Sequence, residues 1–198
     1  MIETFAGFEP PIDQLARLAD TPFEPVAFRS ACNSFAELDW TSTDEDLWNF
    51  VLDSNPSNPR LIVGVHVEVV GRKPSGHPEY RQVAVSCAIL SICWWETYMR
   101  SAHDTAASFM AEQAEFARLY DDALRQTVMV LGSPRLQGED QDENGYRDAI
   151  WRGRTGILVL QPSAYDPQFG HDINYWVQPW SGSDPAPTSP FIDWLCKL

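Results

Sequence analysis

"YRQVAVSCAILSICWW", residues 80–95, is apolar at both parities. Val83, Val85, Cys87, Ile89 and Cys93 fall on one, Ala84, Ala88, Leu90 and Ile92 on the other. Side chains alternate across a strand, so a segment apolar at both parities reads as a central strand covered on both faces. Just before it, "RLIVGVHVEVVGR" (60–72) sets Val63, Val65, Val67 and Val69 against His66 and Glu68, the pattern of a half-buried strand. "KPSGHPE" (73–79) is the turn-rich connection between the two.

Beyond residue 95 the period changes. From about Asp104 to Leu131, Phe109, Phe116, Tyr120 and Ala123 form one stripe with Leu119 and Leu124 beside it, while Glu112, Glu115 and Arg118 fall outside. That is a long amphipathic helix, and Gly132 followed by Pro134 stops it. "YRDAIWRGRTGILVLQ" (146–161) then reads as two strands about a glycine-containing turn, and "HDINYWVQ" (171–178) as a third. Toward the N-terminus, Pro11 precedes a short helix with Ile12, Leu15 and Leu18 on one stripe, broken by "TPFEP" (21–25). Ser42 with Glu45 three residues later forms a capping box, so a second helix is expected through Leu47, Trp48, Phe50 and Val51 until "SNPSNP" ends it. Asp44, Glu45 and Asp46 would then sit in its first turn, where the helix dipole stabilises them.

Strands and helices are segregated rather than alternating, which favours an α+β fold with an antiparallel sheet. The expectation is about five strands (61–70, 80–95, 146–152, 155–161 and 172–178), a long helix packed on one face and short N-terminal helices. The chain reads as one domain, 1–198, with a helical N-terminal part (1–58) and a proline-rich connector and docking tail (181–198). In that tail Phe191, Trp194, Leu195 and Leu198 supply the apolar side.

Composition narrows the functional classes. The 198 residues are 44% hydrophobic and 12% aromatic, as in a packed globular protein. A formal net charge of -14 repels nucleic acid and anionic membrane, and would attract a basic protein partner. No secretory signal or apolar run long enough for a bilayer is present, and Cys32, Cys87, Cys93 and Cys196 form no CxxC pair. A cytoplasmic protein with reduced, mostly buried thiols is expected.

"GEDQDENGYRDAIW" (138–151) carries the strongest chemical signal. Asp140, Asp142, Asn144 and Asp148, with Gly145 at the turn and a carbonyl from Tyr146, follow the ligand order of a calcium loop. Trp151 stands where the closing bidentate glutamate should be, and the flanks are not a helix pair. A solvated acidic turn is the simpler reading, so neither a metal nor a cofactor is expected. His66, His77, His103 and His171 show no HxxxH spacing, and His171 and Asp172, adjacent on a strand, point to opposite faces. There is no GxSxG elbow, and Cys93, between Ile92 and Trp94, reads as an inert core thiol. Eight tryptophans are many for this length. Each alone is best explained by packing, but as a group they suggest a contact surface. The expected partner-binding residues are Asp140, Asp142, Glu143, Asp148, Trp151, Trp176 and Trp180.

At "LGSPRLQGEDQDENGYRDAIWRGRTGILVLQ" (131–161) and "YDPQFGHDINYWVQPW" (165–180) the chain resembles small actinobacterial-type proteins. Some of these resemble immunity proteins of bacterial polymorphic-toxin systems, and some have a sheet-and-helix fold similar to type III secretion chaperones. The resemblance covers the C-terminal third. It implies a non-enzymatic protein that holds another protein, either a toxin-neutralising immunity protein or a chaperone-like adaptor. The alternative from a different class is an enzyme or small-ligand binder with a pocket between the sheet and the N-terminal helices. The cysteine reading has a direct check: thiol titration of denatured, unreduced protein should find all four cysteines free.

Overall fold

The computed structural model describes residues 2–5, 7–39, 46–52, 58–95, 106–137, 148–166 and 170–180. Their order is β1 (Ile2–Thr4), α1 (Ile12–Ala19), α2 (Pro25–Asn33), β2 (Glu37–Leu38), β3 (Leu47–Val51), β4 (Arg60–Arg72), β5 (Pro78–Trp95), α3 (Ala106–Leu131), β6 (Arg135–Gln137), β7 (Asp148–Arg152), β8 (Gly156–Asp166) and β9 (Gly170–Pro179). The nine strands form one antiparallel sheet in the order β2-β3-β4-β5-β9-β8-β7-β6. β1 pairs with the end of β5, where Ile2 faces Trp95, beyond the last β4 partner at Leu90. The α+β class and antiparallel pairing match the sequence reading, but the sheet has nine strands rather than five.

The path explains the layering. β3, β4 and β5 follow one another as hairpins. α3 then carries the chain past the positions of β9, β8 and β7 to β6 at the far edge, and the later strands return one by one to β5. Twenty-six residues give this helix a length of about 39 Å, ample for crossing four strand spacings of roughly 5 Å each. Phe116, Tyr120, Ala123 and Thr127 form its buried side, and Gly132 ends it at φ 80° with its N–H on the Val128 carbonyl. α1 buries Ile12, Leu15, Leu18 and Ala19 as the spacing predicts. α2, which the periodicity did not reveal, starts at Pro25 and buries Phe28 and Cys32.

All three helices share one core with Trp48, Phe50, Leu61, Val63, Leu90, Trp95, Leu158 and Tyr175 on one face of the sheet. Cys87, Ile150, Ile157, Val159 and Trp176 form a second cluster on the other face.

Three readings need correction. Residues 47–51 are a strand, not a helix: Trp48 and Phe50 are buried while Leu47, Asn49 and Val51 are half-buried, a period of two. The aromatic and β-branched content of this segment suits a pleated surface, and its pairing with β4 overrides any cap signal; Ser42 and Glu45 themselves lie outside the described residues. The span 1–58 is therefore mixed, with two helices and three strands among its described residues.

The second correction concerns β5. Ser86 is an extra residue between the pairs Gly64–Cys87 and Val65–Val85, and Ile92 lies between the pairs Ser91–Asn174 and Cys93–Ile173. Each bulge reverses the parity. Val85, Ala88, Leu90 and Cys93 consequently face the helices, while Cys87 and Ile89 face away. The uniform face drawn from Val85 to Cys93 is thus divided.

Third, β4 alternates only in its first half. Val63 and Val65 are buried, but Val69 is 65% exposed, because the strand runs out beyond the body of the sheet. The segment 181–198, with its expected docking tail, lies outside the described residues.

The C-terminal hairpin is fastened to the N-terminal helix. The Thr155 N–H and hydroxyl both donate to the Ala19 carbonyl (3.1 and 2.9 Å), and the Arg154 N–H donates to Asp20 Oδ1 (2.7 Å). This approach needs glycine: a Cβ on Gly153 would lie 2.4 Å from the Ala19 oxygen, and one on Gly156 would lie 2.7 Å from the Phe23 ring. Gly153→Ala and Gly156→Ala should each lower the unfolding free energy by about 1–3 kcal/mol in urea denaturation. Val26→Ala, at a position 85% exposed, should change it by less than about 0.5 kcal/mol.

Candidate functional site

Alternation along β9 sorts the C-terminal residues. His171, Ile173, Tyr175 and Val177 face the helices; Asp172, Asn174, Trp176 and Gln178 face away. On the helix side, His171 stacks on Trp95 (5.0 Å between centroids) and meets Phe116 edge-on, while Trp95 Nε1 donates to Glu112 Oε2 at 2.7 Å. Glu112, which falls outside the apolar stripe of α3, therefore serves as the buried indole's acceptor. Thr127 and the Tyr175 hydroxyl join α3 to β9 at 2.8 Å. The expectation that His171 and Asp172 point to opposite faces holds.

The opposite face carries a polar row. Gln161 Nε2 donates to Asp148 Oδ2 at 3.1 Å, and in register Gln161 faces Asn174, which faces Ser91. Asn174 and Gln178 are both buried, yet Asn174 Oδ1 and Gln178 Nε2 have no hydrogen-bond partner among the described residues. Three of the expected contact residues stand on this face: Asp148, Trp176 and Trp180. Trp176 is 1% exposed and is a packing residue. Trp180 is half-buried, with the Arg152 guanidinium 3.9 Å above its ring. Trp151 lies in the helix-side core, 8% exposed, its Nε1 donating to the Gly132 carbonyl at 2.9 Å. Trp151, Trp176 and Trp180 therefore do not gather into one exposed patch. Period-two alternation places Trp151 and Trp176 on opposite faces, and their burial leaves little of either ring for a partner. Asp140, Asp142 and Glu143 lie outside the described residues.

The exposed surface sequence reasoning missed is the end of the β4–β5 hairpin. β3 pairs β4 only as far as Gly64, and β9 pairs β5 only from Ala88 onward. Among the described residues, from Val65 and Val85 to the Gly76 turn the two strands accordingly have only each other as strand partners, apart from the single N–H of Val65 on Asp46 and of Val85 on Phe23. Val69 and Tyr80 are paired in register, and with Val70 they are 65%, 42% and 50% exposed. Glu68 and Arg81 bridge across the ribbon at 3.3 Å, and Arg72 and Lys73 lie near its tip. The visible signal was the length of the two strands against their neighbours, which a single segment does not reveal.

A cavity of about 480 Å³ lies between α1 and the β6–β7 edge of the sheet. Among the described residues no group of three or more His, Cys, Asp or Glu is arranged to hold a metal ion. None of the three described cysteines is poised as a thiolate: burial pushes Cys32 and Cys93 up to about 12, the latter also through Asp172 and Glu115, and burial pushes Cys87 up to about 11. No helix among the described residues is long and apolar enough to cross a membrane. No family model, no curated protein and no solved structure matches this chain.

The thiols give a pH dependence with a definite sign. Folded cysteines stay protonated while unfolded ones ionise near 9.0, so the folded state binds more protons above that pH and loses stability as pH rises. Between pH 9 and 10 the urea-derived unfolding free energy should fall by on the order of 1 kcal/mol per buried thiol. Cys32→Ala should reduce that slope, as measured by denaturation at fixed salt.

Proposed function

We propose that this chain is a non-enzymatic, cytoplasmic protein-binding protein of the immunity-protein or chaperone-adaptor type. The observation that carries the reading is the projecting β4–β5 ribbon, where Val69, Val70 and Tyr80 are exposed beyond the body of the sheet. An apolar cluster framed by charges, on an extension whose outer edges have no strand partner among the described residues, suits docking by strand addition or side-chain contact. The three buried, free cysteines fit a reducing compartment. The net charge of -14 supports a partner with a basic surface and disfavours nucleic acid and membrane. In this reading Asp140, Asp142 and Glu143 steer the partner, with Asp148 at the foot of their loop and Trp180 at the sheet's rim.

A second reading, small-ligand binding, is favoured by the cavity between α1 and the sheet. The two are compatible, since the ribbon and the cavity share no residue.

The partner reading is tested by affinity capture from the native host followed by direct binding. Val69→Ser with Val70→Ser and Tyr80→Ser should weaken the captured partner by about tenfold or more without lowering the melting temperature. Retained affinity in this variant removes the ribbon from the interface. Separately, Asp140→Asn with Asp142→Asn and Glu143→Gln should slow association about tenfold at low salt and much less at high salt. If millimolar calcium instead raises the melting temperature and the triple variant loses that response, the acidic loop is a cation site.

A further inference from the structure

A second, smaller cavity of about 260 Å³ lies at the start of α1. Gly7, Phe8 and Glu9 line it from the segment leading into the helix, Gln14 from the first turn, Phe35 from the turn after α2, and Leu52 from the end of β3. Phe8, Phe35 and Leu52 pack on the helix-side core yet are only half-buried, so each keeps apolar surface for the cavity. The Phe8 wall is held in place: its N–H donates to the Phe5 carbonyl at 3.0 Å, and the Phe5 ring meets it edge-on at 6.5 Å. Gly7 and Glu9 are exposed and form the mouth. At about 30 Å³ per water molecule, the space holds about eight non-hydrogen atoms.

The polar groups define what fits. Pro11 is the N-cap of α1 and Gln14 its third residue. A glutamine there ordinarily reaches back to the N–H of the capping residue, and proline has none. Gln14 Oε1 is accordingly buried without a hydrogen-bond partner. The terminal torsion of glutamine is soft, so the amide turns this oxygen into the cavity at little cost once a donor is present. Among the described residues of the lining, Glu9 alone is charged, and it forms no ion pair among the described residues. The positive end of the α1 dipole lies close by and opposes a cation. Asp13, in the first turn, is shared with Arg17 at 3.9 Å, so offsetting that partial charge falls chiefly to Glu9. At longer range the net charge of -14 draws cations toward the chain.

We propose that this cavity binds a small primary amine as its ammonium ion, the head on Glu9 and Gln14 Oε1 and the hydrocarbon body against Phe8, Phe35 and Leu52. An ammonium supplies three donors in a compact head, enough for both acceptors. The site shares no residue with the ribbon or with the cavity beside β6, so its failure leaves both earlier readings standing.

Calorimetric titration of the full chain at low salt with benzylammonium, benzyl alcohol, benzoate and ammonium tests it. Benzylammonium, whose size suits the space, should bind saturably and at least about tenfold tighter than the other three. Glu9→Gln, at an exposed position, should weaken it about tenfold and leave the melting temperature unchanged. Gln14→Met should also weaken it about tenfold, while the melting temperature stays level or rises, because a buried acceptor without a partner has been removed. Benzyl alcohol or benzoate binding as tightly as benzylammonium overturns the ammonium assignment. Benzylammonium binding that neither variant changes places the amine elsewhere on the acidic surface and overturns the site, as does no binding at all.

Discussion

From Ala88 to Trp95, β5 has paired strands along both edges and apolar side chains on both faces, and the rest of the molecule is arranged around it. β4 and β1 occupy one edge in succession, and β9 occupies the other. An uninterrupted eighteen-residue strand would send every second side chain to the same face. The bulges at Ser86 and Ile92 break that rule, so that Val85, Leu90 and Cys93 all serve the helix-side core while Cys87 and Ile89 serve the other. The first bulge also sits where the Val85 N–H turns to the Phe23 carbonyl, 2.9 Å away. The linker between α1 and α2 is thereby fixed to the sheet, with Phe23 packed on Phe28 at 5.1 Å.

The two faces then acquire different chemistry. The helix side is apolar with a few paired polar groups, of which Thr127–Tyr175 and Trp95–Glu112 tie α3 to the strands. Burial pushes Tyr175 up to about 12, in keeping with a hydroxyl that bonds rather than titrates. The other face mixes Trp176 and Val159 with Gln161, Asn174 and Gln178. Buried amides of this kind impose directional demands that an aliphatic surface would not, so register errors between β8 and β9 carry a larger penalty.

What was legible in the sequence was whatever repeats with one period over a long enough run. α3 announced itself through Phe116, Tyr120 and Ala123, and the strands β4, β5, β7, β8 and β9 through alternation. β1, β2 and β6 have two or three residues and offer no period to detect. β3 was misread because a cap-like sequence preceded it and because five residues can satisfy either template; only pairing with Gly64 to Arg60 decides. Bulges are invisible for a related reason, since they are set by the partner strand. The candidate site suffered more. The cavity draws on α1, α3, β6, β7, β8 and the residue after β9, and no local motif joins Ala16 to Arg135 and Trp180. The tryptophans were visible as a composition, but their faces depend on register.

The clasp between the β7–β8 turn and α1 joins residues 134 to 136 positions apart in the chain. Such a contact closes a loop that includes most of the molecule, so its entropic cost must be met before it contributes anything. α1 gains these hydrogen-bonding partners only after the intervening strands and α3 have been made. The same holds for β5, whose second edge stays open until β9 arrives. Folding should therefore be slow and late-committing, with an apolar strand edge exposed during synthesis. The net charge of -14 opposes association of such chains through mutual repulsion while that edge is open.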